Sequence, residues 1–296
     1  MKQAGRVLLL YFVLLFAVSA AAQDKVVVIP LSSAKKLKNV VTVSAKGGDF
    51  TDPVAAVNSI SGADGDNPWL VVIGPGVYTL STPLIMKEHV AIAGAGKDST
   101  KLTGTISAAS PGADSALVVG ATNATLSDLS IWNSGGGSQH ATGIFNANAI
   151  YDITRVKIVA GGGTAGNYGM YNSGKSRPII TDSRIHAYGN GFIYGVYNDD
   201  SSPTLDHSDV SAVVGEGWSG NAFGFSSRNA STPSIRYSTL YGDDYGLQQA
   251  GGTVHVSHSS ITSLYAVDSG GGAVLVCVYN DDGRGGLLGS TCHNDF

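Results

Sequence analysis

A six-residue pattern recurs about every 26 residues through the second half of this chain. It reads Leu126-Ser-Asp-Leu-Ser-Ile131, Ile153-Thr-Arg-Val-Lys-Ile158, Ile180-Thr-Asp-Ser-Arg-Ile185, Leu205-Asp-His-Ser-Asp-Val210, Ile235-Arg-Tyr-Ser-Thr-Leu240 and Val256-Ser-His-Ser-Ser-Ile261. The successive steps are 27, 27, 25, 30 and 21 residues. A second pattern runs offset from it: Gly143-Ile-Phe-Asn146, Gly169-Met-Tyr-Asn172 and Gly195-Val-Tyr-Asn198, then the weaker Gly224-Phe-Ser-Ser227 and Gly246-Leu-Gln-Gln249. Units this short, apolar at both ends and rich in β-branched residues, read as strands. One such unit cannot bury its own apolar face. Stacking the units about 4.8 Å apart buries a continuous core and pairs each strand with its counterpart in the next coil. The chain is therefore expected to be an all-β solenoid, with clear repeats over residues 100–265. Such a repeat constrains architecture far more than activity.

Columns follow from the stacking. Asn146, Asn172 and Asn198 are spaced by 26 and 26, so their amides are expected to form a coil-to-coil hydrogen-bonded ladder. Gly143, Gly169 and Gly195 form a matching structural column, read here as tight backbone bends. Upstream, Gly47 to Gly62 holds the one helical segment, with Asp52 as N-cap, Pro53 at the first helical position and Val54, Val57 and Ile60 as an apolar stripe. Short strands separated by Gly and Pro turns follow it. A solenoid end is an open sheet edge, so residues 47–62 are expected to cap the N-terminal end and residues 273–296 the C-terminal end. Roughly nine coils fit into residues 41–272 at this period.

Composition bounds the setting. Lys2 and Arg6 precede an apolar run, Val7 to Val18, and Ala20-Ala-Ala22 ends it. That is the form of a cleaved secretory leader over residues 1–22, leaving residues 23–296 as one mature domain. No other stretch is long and apolar enough for a membrane-spanning helix. The mature part carries 16 basic against 22 acidic residues, a formal charge of −6. That charge argues against nucleic acid as a partner. Only Glu88 and Glu216 are glutamates, and the bias to Asp suits turns. Cys277 and Cys292 lie close together in an exported context and are expected to pair. Closing that loop would stabilise the fold by about 3 kcal/mol.

Gly47-Gly-Asp-Phe50, Ala55-Ala-Val57, Ile73-Gly-Pro-Gly-Val-Tyr78, Ile92-Ala-Gly-Ala-Gly96 and Thr100-Lys-Leu-Thr103 resemble the start of a pectin methylesterase. The chain as a whole resembles the pectin lyase-like superfamily, and its repeat units resemble those of exported bacterial β-helix proteins. The resemblance implies a right-handed parallel β-helix. The esterase motifs QAVAL, QDTL and LGRPW do not occur in the sequence. Gly191-Phe-Ile-Tyr-Gly195 echoes DFIFG, but Asn190 and Gly191 stand where that motif needs an acid. The Gly-His-Gly of polygalacturonases does not occur, and no clustered acids of the pectate lyase kind are recognisable.

The pairs Asp199-Asp200 and Asp243-Asp244 could serve a glycosidase or a Ca²⁺ site, but Asp in turns is the simpler reading. His207 and His258 occupy equivalent places in their repeats, with Asp182 and Tyr237 alongside, and no histidine spacing indicates zinc. Phe145, Tyr171 and Tyr197, with Tyr168 and Tyr194 nearby, are expected to form an exposed aromatic ladder suited to stacking on sugars. Tyr188, Trp218, Tyr241 and Tyr245 fall where the coils lengthen, and a loop there would line a groove. No catalytic residue, metal or cofactor is assigned from the sequence. The expectation is an exported, non-catalytic β-helix protein, secreted, periplasmic or at the cell surface, that binds a polysaccharide, a cell-surface glycan or another surface. The alternatives are a polysaccharide lyase, hydrolase or esterase with an unrecognised site, and a structural stalk or adhesin. Oligomeric state is not legible.

Overall fold

The structure is a computed structural model that describes residues 39–270, 272–283 and 286–289. The expected leader (1–22), the segment 23–38 and Cys292 lie outside the described residues. Cys277 is buried.

The described chain is a parallel β-solenoid with three faces. The first face is a ten-stranded sheet, running from Val40–Val43 through strands such as Thr125–Ser127, Asp152–Thr154 and Ile179–Thr181 to Val274–Val278. The other two faces form one continuous order of strands, which runs down one side of the solenoid and back up the other. The second face holds Thr100–Gly104, Ser130–Asn133, Lys157–Ala160, Arg184–Gly189 and Asp209–Val214. The third holds Ala116–Val119, His140–Ala147, Gly166–Ser173, Gly191–Asp199 and Gly220–Arg228. The long strand Thr239–Ala250 belongs to both and shifts register between Gly242 and Tyr245. Asp243 and Asp244 sit at that irregularity and hold it: Asp243 accepts from the Val214 N–H and the Tyr241 hydroxyl, both at 2.7 Å, and Asp244 from the Ala222 N–H at 2.7 Å.

Three inward columns make the core. The hexad ends supply Leu126, Ile153, Ile180 and Leu205 from the first face and Ile131, Ile158, Ile185 and Val210 from the second. Ile144, Met170, Val196 and Phe225 close the third. All are essentially solvent-free, each worth roughly 1.5–3 kcal/mol of apolar burial.

The polar middle of the hexad turns the corner between the first and second faces. Its third residue takes left-handed backbone: Asp128, Arg155, Asp182, His207, Tyr237 and His258 all have φ between 48° and 57°. The residue after it lies inside, and in the last four hexads it is a serine, Ser183, Ser208, Ser238 and Ser259. Ser183 N–H donates to Ser208 Oγ, Ser208 N–H to Ser238 Oγ and Ser238 N–H to Ser259 Oγ, at 3.1–3.2 Å. A sharp corner interrupts the ordinary ladder, and the buried hydroxyls replace the lost acceptors.

The asparagine column is hydrogen-bonded. Asn146 Nδ2 donates to Asn172 Oδ1 at 2.6 Å, and Asn172 Nδ2 to Asn198 Oδ1 at 2.8 Å. Tyr151 caps the first amide and Ser227 the last. The glycine column departs from expectation. Gly143, Gly169 and Gly195 do not have positive φ. They are needed for space, because a Cβ on any of them would lie 2.5 Å from the next coil's carbonyl oxygen and 2.5 Å from a core methyl.

The helix is shorter than the 47–62 segment. It spans Pro53–Ser59, with Asp52 accepting from the Val54 and Ala55 N–H groups and Ile60 as C-cap. Its buried residues are Pro53, Ala56 and Val57. No helix of the described residues is long and apolar enough to cross a membrane.

Candidate functional site: a cationic aromatic groove

The expected exposed tyrosine ladder is present as a stack but not as an open one. Tyr168, Tyr194, Tyr197 and Phe223 form a cluster of their own, separate from the core, and each is only 7 % exposed. The cause is local. The glycine between Tyr168 and Met170 lets the residues on both sides of the Gly-Met pair, Tyr168 and Tyr171, pack together, with ring centroids 5.5 Å apart. Two ring columns therefore cover each other: Tyr168–Tyr194 at 5.3 Å, Tyr194–Tyr197 at 4.8 Å, Tyr171–Tyr197 at 5.1 Å. Arg228 closes one end, 4.8 Å over the Tyr197 ring. Phe145 and Tyr171 stay half-buried. Burial raises the phenol pKa of all four tyrosines above the ordinary value. Few ring faces are left for a sugar there.

The second face presents a different surface. Its outward positions align by register: Lys101 beside Ser130, Ser130 beside Lys157, Lys157 beside Arg184 and Arg184 beside Asp209. The next outward column runs Trp132, Val159, His186, Ser211. That column, with Lys157, Arg184 and Tyr188, lines an open groove of about 440 Å³, and Lys101 adjoins it over the Trp132 ring. Lys101 Nζ stands 3.7 Å from the Trp132 ring centroid and Lys157 Nζ 5.9 Å from it. His186 stacks on Tyr188, with centroids 5.8 Å apart and planes 15° from parallel, and its Nδ1 lies 2.9 Å from Ser211 Oγ. Gly161 makes room for the Tyr188 ring, which occupies the place a Cβ would take.

Charge is uneven across this groove. Arg184 Nη2 meets Asp209 Oδ2 at 3.1 Å, both side chains more than half exposed, which is a weak pairing in water. Neither Lys101 nor Lys157 has a carboxylate within ion-pair distance among the described residues. A chain of net negative charge thus carries a local cationic strip over an aromatic floor. Burial, and then the charge of Lys157, hold the His186 pKa below the usual histidine range.

The remaining sequence candidates lie elsewhere. His207, Tyr237 and His258 stack along the first corner at 4.9 and 5.1 Å, with Asp206 bridging His207 and Arg236. Asp199 is bonded by Asn229. Trp218 is half exposed at the next corner, where Gly189 and Gly215 admit its ring. Among the described residues no group of histidines, cysteines and acids could hold a metal ion. Of the groove, sequence reasoning named only Tyr188. The available signal was the fifth place of the hexad, occupied by Ser130, Lys157, Arg184 and Asp209.

No protein-family model matches the sequence, and no curated protein matches it either. Solved structures do match the fold. Pectin methylesterase from Aspergillus niger superimposes with a TM-score of 0.62 at 13% identity, over 85% of this chain and 87% of that one. The carrot enzyme gives 0.59 at 16%, over 90% and 88%. A pectin methylesterase in complex with a hexasaccharide gives 0.56 at 14%, over 87% and 93%. The chain therefore shares the pectin lyase-like β-helix fold. Identities this low establish architecture alone.

Proposed function

We propose that this chain is an exported, non-catalytic binder of a linear anionic polysaccharide, held along the groove of the second face. The carrying observation is the Lys101–Trp132–Lys157 cluster: two cations without carboxylate partners among the described residues, set about an aromatic ring. Aromatic faces take up the apolar faces of sugars, and Lys and Arg side chains meet carboxylate or sulfate. Lys101, Lys157 and Arg184 fall in one register column, so their charges follow the solenoid axis at steps of about 4.8 or 10 Å. A polymer lying along that axis presents charged groups in series, and a monosaccharide cannot. The fold shared with pectin methylesterases, one of them solved with a hexasaccharide bound, is compatible with a glycan ligand. The leader-like residues 1–22 support export.

Binding of polygalacturonate and dextran sulfate to the purified mature chain tests this reading by calorimetry. The affinity is expected to fall steeply with added salt. Lys101→Gln combined with Lys157→Gln, and Trp132→Ala alone, are each expected to weaken binding by about tenfold or more. Tyr171→Ala is expected to have little effect. Binding that ignores salt and the Lys101, Lys157 and Trp132 substitutions would place the ligand elsewhere. New reducing ends or unsaturated products would replace the binder by an enzyme. No binding to any glycan would favour a structural role.

A further inference from the structure

We infer that His186 couples anion binding in this groove to proton uptake, so that acidification tightens the hold on a polyanion. This rests on the groove being the glycan site and adds its regulation. The imidazole sits in the groove floor between Val159 and Ser211 of the flanking coils. Ser211 Oγ fixes Nδ1 at 2.9 Å, and the ring lies over Tyr188. The charged and titratable groups facing it come from every neighbouring strand. Lys157 precedes it and Arg184 shares its strand. Asp209 follows, engaged with Arg184. Tyr241 lies one coil beyond Ser211, its hydroxyl held by Asp243. Lys101 stands at the far end over Trp132.

In the empty groove the surroundings oppose an imidazolium. Partial burial and the neighbouring Lys157 charge keep His186 neutral near pH 7. A bound carboxylate or sulfate reverses the balance, because it cancels the Lys157 and Arg184 charges and accepts from a protonated ring. Linkage makes the effect reciprocal: if the anion favours the proton, the proton favours the anion by the same factor. The sign follows directly. Above the His186 pKa of the bound state affinity is flat, and it rises as pH falls towards the lower pKa of the free groove. Ser211 does not obstruct protonation, since its hydroxyl oxygen accepts from an Nδ1–H as readily as its proton serves a bare Nδ1.

Dextran sulfate is the better probe, because its sulfates stay ionised throughout the range. Its affinity is expected to be about fivefold or more tighter near pH 5 than near pH 8. His186→Gln is expected to give the same affinity at both. His207→Gln, at the remote corner stack, should keep the full response. Lys157→Gln should move the response to higher pH, because the opposing charge is gone. An NMR titration of the His186 ring with and without probe reads the coupling without any substitution, and the ring should titrate at higher pH when the probe is bound. Equal wild-type affinity at both pH values, a full response in His186→Gln, or an unmoved ring titration would overturn the inference while leaving the glycan site standing. Absence of binding at every pH would overturn the site itself.

Discussion

Alanine at Gly169 is expected to destabilise the solenoid by about 3 kcal/mol or more, although its backbone torsions are ones alanine adopts freely. A Cβ there would lie 2.5 Å from the Gly195 carbonyl oxygen and 2.5 Å from Ile185 Cγ2. Neither obstacle is a flexible tip. The carbonyl belongs to the next coil's backbone, and the methyl belongs to a core side chain with no exposed surface. Relief therefore requires the coils to separate, which weakens the ladder on both sides of the substitution. Gly195 faces the same pair of obstacles one coil on, in Gly224 and Val210, so the strain cannot be passed along. Gly270→Ala is the control, since nothing lies within 4 Å of its would-be Cβ, and it should cost less than about 0.5 kcal/mol. Urea denaturation of the two variants makes the comparison. Hydrogen exchange should show the Gly169 lesion concentrated in the coils around Gly166–Ser173, because each repeat of a solenoid contacts only its neighbours. Equal midpoints for the two variants would mean that the column is merely permissive.

The same comparison shows what a repeat makes legible. The hexad ends and the Gly-x-x-Asn units give strand positions, inward columns and the asparagine series, because those depend on period alone. The use of each glycine does not follow from period: a bend and a close approach leave the same letter in the sequence. Alternation also placed Tyr171 and Tyr197 outside the core. It could not place Tyr168 and Tyr194 on the same side, because the glycines of the Gly-Met and Gly-Val pairs drop out of the pairing between coils and interrupt the two-residue alternation. The rings then shield one another, which is why the face read as a sugar platform is largely covered.

The groove was hidden for a different reason. Lys157 and Arg184 occupy the fifth place of successive hexads, where Ser130 and Asp209 stand in the coils on either side. A mixed column of that kind resembles an ordinary solvated face. Lys101 precedes the first clear hexad altogether, and only the pairing of Thr100–Gly104 with Ser130–Asn133 brings it over Trp132. The chemistry of the site is therefore a property of register between coils of unequal length, and no single motif records it.

Register in turn leans on the asparagine ladder, and aspartate at position 172 is expected to be the most damaging nearly isosteric change there. Asn172 has no exposed surface and works in both directions, accepting from Asn146 and donating to Asn198. A carboxylate keeps the first bond and loses the second, and it sets its own oxygen against Asn198 Oδ1. It also buries a charge with no cation among its hydrogen-bond partners. Together these should cost about 4 kcal/mol near neutral pH. The sign of the pH dependence follows. Burial raises the folded-state pKa of this acid above its unfolded value, so the folded state holds the proton more tightly and stability falls as pH rises above the unfolded pKa. Acidification should therefore rescue Asn172→Asp, because the protonated acid donates to Asn198 as the amide did. Asn172→Ala should lose about 2–3 kcal/mol with little added pH dependence. Denaturation midpoints between about pH 4 and pH 8 distinguish the two, taken as differences from wild type so that other titrating groups cancel. Lys157–Ala160 and Arg184–Gly189 belong to the coils that Asn172 and Asn198 tie together, so polyanion binding should fail in Asn172→Asp at the pH where its coils open. Binding that survived there would mean that the cationic column keeps its spacing without the ladder.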